Sequence, residues 1–289
     1  MLSGASSGYD ANMLLAEPLV SSWKASLSLG FSFADRKTTL STKIHDGPLV
    51  VQKPLYPEGG EVCHAIIVHP PGGIAGGDEL TLNARTEEKA SALLTTPGAA
   101  KWYRSAGPWA KQNAAFDVKG TLEWLPQETI VFDGALAQTA YEVNLGAEAG
   151  LVGWDIVCLG RTGSGERFTR GSYRTSIQVR RDGKLLWLER GRIDGGGSLL
   201  ESPAGLGGRP VFGTLFASFP FFDKKILEKL REQDPIAGRG AVTLLPGILL
   251  ARYLGDSSEA ARRYFIALWR ILRPALTGRE AIEPRIWRT

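Results

Sequence analysis

The 289-residue chain is poor in the residues that build metal cages and nucleophilic sites, with two cysteines, three histidines and two methionines. Cys63 and Cys158 cannot make a disulfide framework, and a reduced, cytoplasmic protein is the simpler reading. No apolar run approaches the ~20 residues that a membrane helix needs. The N-terminus lacks the basic n-region and apolar core of a signal peptide. Charge of one sign is lacking too. The 34 basic and 30 acidic residues leave +4, and the arginines are too scattered for a nucleic-acid stripe. There is no Gly-x-Ser-x-Gly elbow, since Gly163-Ser164-Gly165 has the wrong spacing, and no Ser, His and carboxylate set suggests itself. No internal repeat is found.

What is present is glycine and proline, 35 and 16 residues, in a chain that is 43% hydrophobic and 22% charged. That is a globular composition with many turns, which favours a β-rich fold. The chain is organised around His69-Pro70-Pro71-Gly72-Gly73-Ile74-Ala75-Gly76-Gly77-Asp78. The β-branched run Ala65-Ile66-Ile67-Val68 precedes it, and the alternating Leu80-Thr81-Leu82-Asn83-Ala84 follows it. Both read as strands. The prolines end the first strand, having no N–H to donate. The glycines allow a close approach by another backbone or a ligand. Asp78 can simply hydrogen-bond its own backbone. A phosphate cradle is the functional rival, but no Gly-Lys-Ser/Thr follows and the next segment reads as a strand rather than a helix.

The expected fold is mainly β, a large multi-stranded sheet assembly with about two helices in the C-terminal third. Residues 1–20, rich in Ser, Gly and Ala, read as a flexible tail, and residues 21–289 as one domain. Strands are expected over residues 23–33, 38–44, 49–52, 92–96, 115–118, 121–125, 128–132, 151–159, 171–180 and 184–190, with a loop over 54–60. Such density leaves no room for alternating helices. Asp223 can cap a helix over 224–232. Asp256 with Glu259 resembles a capping box for a longer helix to about Leu272, stopped by Pro274. Its apolar stripe, Ala260, Tyr264, Leu268, Ile271 and Leu272 widened by Phe265 and Trp269, reads as core, with a partner-docking face as the alternative. Residues 195–208 read as a Gly-rich loop.

Cys63, His64 and His69 look like a metal cluster until strand geometry is applied. Cys63 and His64 face opposite sides, and six residues at ~3.3 Å each put Cys63 and His69 ~20 Å apart. One ion cannot reach both at ~2 Å, although a dimer could bring copies together. Cys158, in an apolar strand, reads as an inert thiol. The chemistry-bearing residues are then acids among apolar neighbours. Glu123, Glu128 and Asp133 lie in Leu122-Glu123-Trp124-Leu125-Pro126-Gln127-Glu128-Thr129-Ile130-Val131-Phe132-Asp133. They are rim residues at strand ends or, if buried, must be paired, hydrogen-bonded or holding a cation. Lys101 and Arg104 are candidate partners.

Several of these stretches together resemble the UreD (UreH) family of urease accessory proteins. They are residues 71–78, residues 95–105 (Thr95-Thr96-Pro97-Gly98-Ala99-Ala100-Lys101-Trp102-Tyr103-Arg104-Ser105), residues 122–132, residues 160–168, and the ending Leu268-Trp269-Arg270 with Pro284-Arg285-Ile286-Trp287-Arg288-Thr289. The resemblance runs in order over residues 23–289. It departs at Ala100, where a threonine is expected, and near Glu189. It implies a mainly β scaffold and not an enzyme. It also implies partners UreF, the GTPase UreG and apo-urease, with room for a homodimer in the complex, and neither nucleic acid nor membrane. It implies no tightly bound cofactor, only transient Ni²⁺ conducted along an internal, water-filled path towards urease. Oxygen ligands suit a relay, because Cys and His hold Ni²⁺ too tightly to pass it on. On this reading Asp78, Glu123, Glu128 and Asp133 are the candidate path acids, and Trp269, Arg285 and Trp287 the candidate partner contacts. An enzyme with a Gly-rich phosphate site and a purely structural adaptor are the alternatives.

Overall fold

The computed structural model describes residues 22–288. About 49% is strand and 15% helix, so the fold is mainly β. The chain opens with β1 (Lys24–Ala34), β2 (Lys37–Asp46), β3 (Val50–Leu55), β4 (Val62–Val68), β5 (Gly73–Ile74) and β6 (Glu79–Thr86). It continues through β7 (Ser91–Thr95), β8 (Ala100–Trp102), β9 (Ala110–Val118), β10 (Thr121–Trp124), β11 (Thr129–Val131), β12 (Leu136–Leu145) and β13 (Gly150–Leu159). Then come β14 (Ser172–Arg181), β15 (Lys184–Asp194), the short α1 (Ser198–Glu201) and β16 (Val211–Ser218). α2 (Lys224–Arg231), β17 (Arg239–Leu245), β18 (Ile248–Gly255) and α3 (Ser258–Thr277) complete it, followed by a 3₁₀ turn at Arg285–Arg288.

Two sheets face each other. One has the order β15-β14-β12-β9-β6-β1-β2, and the other runs β17-β18-β16-β13-β10-β7-β4-β3. The middle of each is parallel: β1-β6-β9-β12-β14 in the first, β4-β7-β10-β13 in the second. Parallel neighbours need a long return path, usually a helix. Here the return path is a strand of the opposite sheet. The chain passes from β6 to β7, β9 to β10 and β12 to β13, crossing between sheets each time, which is how a parallel fold dispenses with crossover helices.

The two ends of this winding differ. At one end, tight corners over residues 87–90, 119–120 and 146–149 stack on each other, with Thr121 N–H on the Ala90 carbonyl at 2.8 Å and Gly150 N–H on that of Gly120 at 2.9 Å. A Cβ at Gly120 would lie 2.1 Å from the Ala90 carbonyl oxygen, so only glycine fits that corner. At the other end the crossings are long: residues 69–78, 96–109, 125–135 and 160–171. Three of these carry the short strands β5, β8 and β11, which pair in parallel and join β13.

The core has two layers. Leu27, Phe31, Leu82, Phe116, Trp124, Tyr141 and Tyr173 fill the space between the sheets. α3 and α2 cover the outer face of the second sheet, burying Leu93, Leu125, Val152, Trp154 and Ile156 against Tyr264, Phe265, Leu268 and Trp269. Covered on both faces, β13 is buried at every position, hence its continuous apolar sequence. Each such aliphatic or aromatic side chain contributes ~1.5–3 kcal/mol of transfer free energy.

Several boundaries differ from the expectation. β5, β8, β12, β16, β17 and β18 are additional strands, β5 lying within the Gly-rich stretch that reads as irregular; β12 is rich in Ala, Gln and Asn, weak strand formers that the register of its neighbours overrides. β3 runs through Pro54 to Leu55, because β3 is a sheet edge where a missing N–H costs nothing. α3 runs through Pro274 to Thr277 and ends at Gly278 in the left-handed region, so Pro274 does not stop it. Its cap is Ser257, whose hydroxyl accepts from Ala260 N–H at 3.2 Å, while Asp256 pairs with Arg209. Asp223 caps α2 as expected, accepting from Lys225 N–H at 2.9 Å. The N-terminal 20 residues lie outside the described residues.

Candidate functional site

The Gly-rich loop sits at the long-loop end. Asp78, only 1% exposed, accepts from Trp23 N–H at 2.7 Å and from Ala75 N–H at 2.8 Å, closing the loop on itself and tying it to the start of β1. A Cβ at Gly73 would lie 2.0 Å from the Tyr103 ring, and one at Gly76 2.3 Å from Ser105 Oγ. What comes close to these glycines is therefore the neighbouring loop of residues 103–108, which occupies the room a phosphate cradle would need.

Asp133 is a second knot at the same end. Its Oδ1 accepts from Thr169 N–H at 2.7 Å, Thr169 Oγ1 at 3.0 Å and Arg170 N–H at 2.8 Å. Its Oδ2 takes Arg170 Nε at 3.2 Å and Nη2 at 2.8 Å. Partial burial would raise its pKa, but these hydrogen bonds win and hold the carboxyl far below the usual carboxylate range. Glu166 completes the knot, accepting from Asp133 N–H at 3.0 Å and from Arg161. Glu128 differs. It is half-buried, its carboxylate makes no hydrogen bond or ion pair among the described residues, and its charge adds to the burial that pushes the nearby Cys158 thiol up.

Glu123 lies away from these loops, under α3. It is fully buried, and it accepts from Trp269 Nε1 at 2.6 Å and from Arg273 Nε at 3.0 Å. Arg273, itself fully buried, reaches Glu58 with Nη2 at 2.6 Å, and Glu58 shares a 2.5 Å hydrogen bond with His64 Nε2. Arg273 Nη1 donates to the Glu280 carbonyl beyond the helix. One guanidinium thus bridges two buried carboxylates. Burial alone would raise the pKa of Glu58, but its hydrogen bonds to His64 and Arg273 outweigh that and lower it. Burial alone would lower that of Arg273, and the two carboxylates raise it.

Between the sheets, beneath the long loops, lies a cavity of about 310 Å³. Apolar side chains wall it, among them Leu49, Ile67, Leu80 and Trp124, with Gln112, Lys101 and His69 as its polar members. Burial lowers the pKa of His69, against the opposing charge of Asp78. Further along the same layer, Asp155 of β13 meets Tyr173 and Tyr141. Burial pushes its carboxyl up to about 7, with a hydrogen bond to Tyr173 opposing the rise and the charge of Glu189 adding to it.

Of the C-terminal candidates, Trp269 is fully buried and supports the surface from beneath. Trp287 is partly buried, with its Nε1 donating to Thr95 Oγ1 at 2.8 Å and its ring 5.8 Å from that of Trp154. Arg285 is exposed.

The sequence model described as UreD urease accessory protein matches residues 24–288, nearly all the described chain. The chain belongs to the UreD family. Its relatives include the proteins named urease accessory protein UreD of Azoarcus sp. strain BH72, 52% identical over 92% of this chain and 94% of that one. Those of Dechloromonas aromatica (53% identical over 93% and 95%) and Pseudomonas aeruginosa (53% over 92% and 95%) are similar. Family members are accessory proteins of urease maturation and not enzymes.

Family membership gives the long-loop end a meaning. The motifs at residues 71–78, 95–105, 122–132 and 160–168 are far apart in sequence, and all reach that end because the winding returns each crossing to it. The buried Glu58–Arg273–Glu123 bridge was missed from sequence. Its signal was a charged residue, Arg273, four positions after Trp269 on an apolar helix stripe. Asp155, the one charge on the otherwise apolar β13, carried the same kind of signal.

Proposed function

We propose that this family member is the scaffold through which Ni²⁺ is inserted into apo-urease, acting in the cytoplasm with UreF and the GTPase UreG, with room for a homodimer in the assembly. Nickel is cargo on this reading, not a resident cofactor. The observation that supports the proposal is a cavity between the sheets under the family's own motifs, apolar in most of its walls, with His69 and Gln112 among them. A lone histidine beside an amide oxygen is not a cage of tight ligands, which suits transfer rather than storage.

The four candidate acids then divide by what already holds them. Glu128 has uncommitted oxygens and can touch a passing hydrated ion. Asp78, Asp133 and Glu123 are engaged by backbone, arginine and indole donors and contribute chiefly negative potential and loop geometry. The exposed Arg285 and the partly buried Trp287 remain the candidate C-terminal partner contacts, with Trp269 as their support.

The test is to purify complexes with UreF and UreG carrying Ala or Lys at each of the four acids, then count bound nickel and assay activated urease. Glu128→Ala should leave assembly intact and lower activation, and Glu128→Lys should lower it more, because a fixed ammonium repels Ni²⁺. If all eight variants assemble and activate normally, the path does not run through these acids. If urease activation persists with no nickel bound by any complex, the adaptor reading, in which metal never touches this chain, replaces the relay.

A further inference from the structure

The irregular break between β10 and β11, residues 125–128, ends on Glu128, the candidate acid whose carboxylate is uncommitted among the described residues. Pro126 interrupts the ladder there, yet each of the four residues has a backbone group held. Leu125 N–H donates to the Leu94 carbonyl at 2.9 Å, and the Leu125 carbonyl accepts from Thr95 Oγ1 at 2.6 Å. The Pro126 carbonyl accepts from Trp154 Nε1 at 2.7 Å. Gln127 N–H donates to Thr96 Oγ1 at 3.0 Å, and its side-chain oxygen accepts from Arg262 of α3. The Glu128 carbonyl accepts from Ala100 N–H at 2.9 Å. A segment with no regular structure of its own is thus fixed by groups brought to it from β7, β8, β13 and α3.

The C-terminal turn steadies two of those donors. Trp287 Nε1 donates to Thr95 Oγ1 at 2.8 Å, across 192 residues of sequence. An indole N–H can only donate, and a hydroxyl has one hydrogen. Accepting from Trp287, Thr95 keeps that hydrogen for the Leu125 carbonyl, so its fully buried oxygen has a partner in each role. The Trp287 ring lies 5.8 Å from that of Trp154, which holds the next carbonyl, and 5.9 Å from that of Trp269. The turn itself is fastened by Trp287 N–H on the Pro284 carbonyl at 3.0 Å and by the Arg270–Glu283 ion pair. One side chain, Trp287, therefore backs the donors to two successive carbonyls just ahead of Glu128.

We propose that Trp287 is a positioning residue for Glu128: through Thr95 and Trp154 it holds the 125–128 break in the conformation that presents the Glu128 carboxylate to the passing ion. The inference rests on the reading that Glu128 meets that ion. Groups behind a metal-contacting side chain fix its orientation, and losing one costs ~10–100-fold in metal affinity or activity. The indole N–H is engaged inside the chain, so this role is separate from any contact that the exposed Arg285 makes.

The test uses the purified complex with UreF and UreG, with bound nickel and activated urease measured for each variant. Trp287→Phe keeps a ring against Trp154 but removes the N–H, and Thr95→Val removes the hydroxyl. Both should assemble and lower bound nickel and activation by up to about tenfold, no further than Glu128→Ala does. Thr95→Ser, which keeps the hydroxyl, should match wild type. Because Trp287 acts through Glu128, Trp287→Phe/Glu128→Ala should activate no less than Glu128→Ala alone. A merely structural loss would instead add to that of Glu128→Ala. Wild-type activation by Trp287→Phe and Thr95→Val, or a double variant well below Glu128→Ala, overturns the inference while the role of Glu128 stands. If Glu128→Ala itself activates normally, both fall. Should Trp287→Phe fail to assemble, Thr95→Val alone and combined with Glu128→Ala decides the same question.

Discussion

Asp155→Asn tests the interior most directly. Asp155 is 6% exposed, on a strand covered on both faces, and its carboxyl is pushed up to about 7 from an ordinary value of 3.8. An acid with a raised folded-state pKa binds its proton more tightly in the folded chain. Its stability contribution is therefore complete below pH ~4 and is lost as pH rises through about 7. A shift of about three units at ~1.36 kcal/mol each is on the order of 4 kcal/mol. Asn is close to the neutral acid in shape and stays neutral at every pH. At pH 8, Asp155→Asn should be more stable than wild type by up to about 4 kcal/mol, and at pH 4 the two should nearly coincide. For a domain of this size that is roughly 8–16 °C in melting temperature at pH 8. Thermal denaturation of both proteins from pH 4 to 8 measures the difference, in which the other titrating groups cancel. A wild-type-minus-variant difference that does not change with pH would refute the reasoning and mean that Asp155 is ionised in the folded chain, with its charge satisfied.

Two further outcomes are expected. Arg273→Met leaves Glu58 and Glu123 buried without their shared cation, and should cost about 3–5 kcal/mol, while adding Glu123→Gln should restore part of it. Melting temperatures of the single and double variants decide this, and a single variant that melts with wild type would show the bridge to be dispensable. Gly120→Ala and Gly73→Ala should differ, although both place a Cβ within about 2 Å of a neighbour. The Gly120 neighbour is backbone, which cannot yield, so about 3 kcal/mol or more is lost. The Gly73 neighbour is the exposed end of Tyr103, which can swing away for about 1 kcal/mol, its edge contact with Phe132. Equal losses in a denaturant titration would contradict that account.

The alternation of apolar residues, the Gly and Pro punctuation and the late amphipathic segments were enough to read a mainly β chain with α2 and α3. They act over neighbouring residues and need no tertiary partner. The Gly-rich loop and the family motifs were legible for the same reason. Boundaries set by context were not. Pro54 lies within a strand because β3 has a free edge, and Pro274 lies within a helix because the turn beyond it is held by Arg273 and Gly278. Nor could spacing reveal that the strands wind between two sheets, since each parallel neighbour is a whole coil away in sequence. Tertiary structure alone decided which acids are spoken for. Glu123 and Glu128 are five residues apart on one segment, yet the first is clasped by Arg273, 150 residues away, and the second is left uncommitted. Sequence fixes a carboxylate's place on the chain, but its burial and its partners are long-range facts. Those, through desolvation and pairing, determine whether it locks the fold, holds a proton or meets an ion.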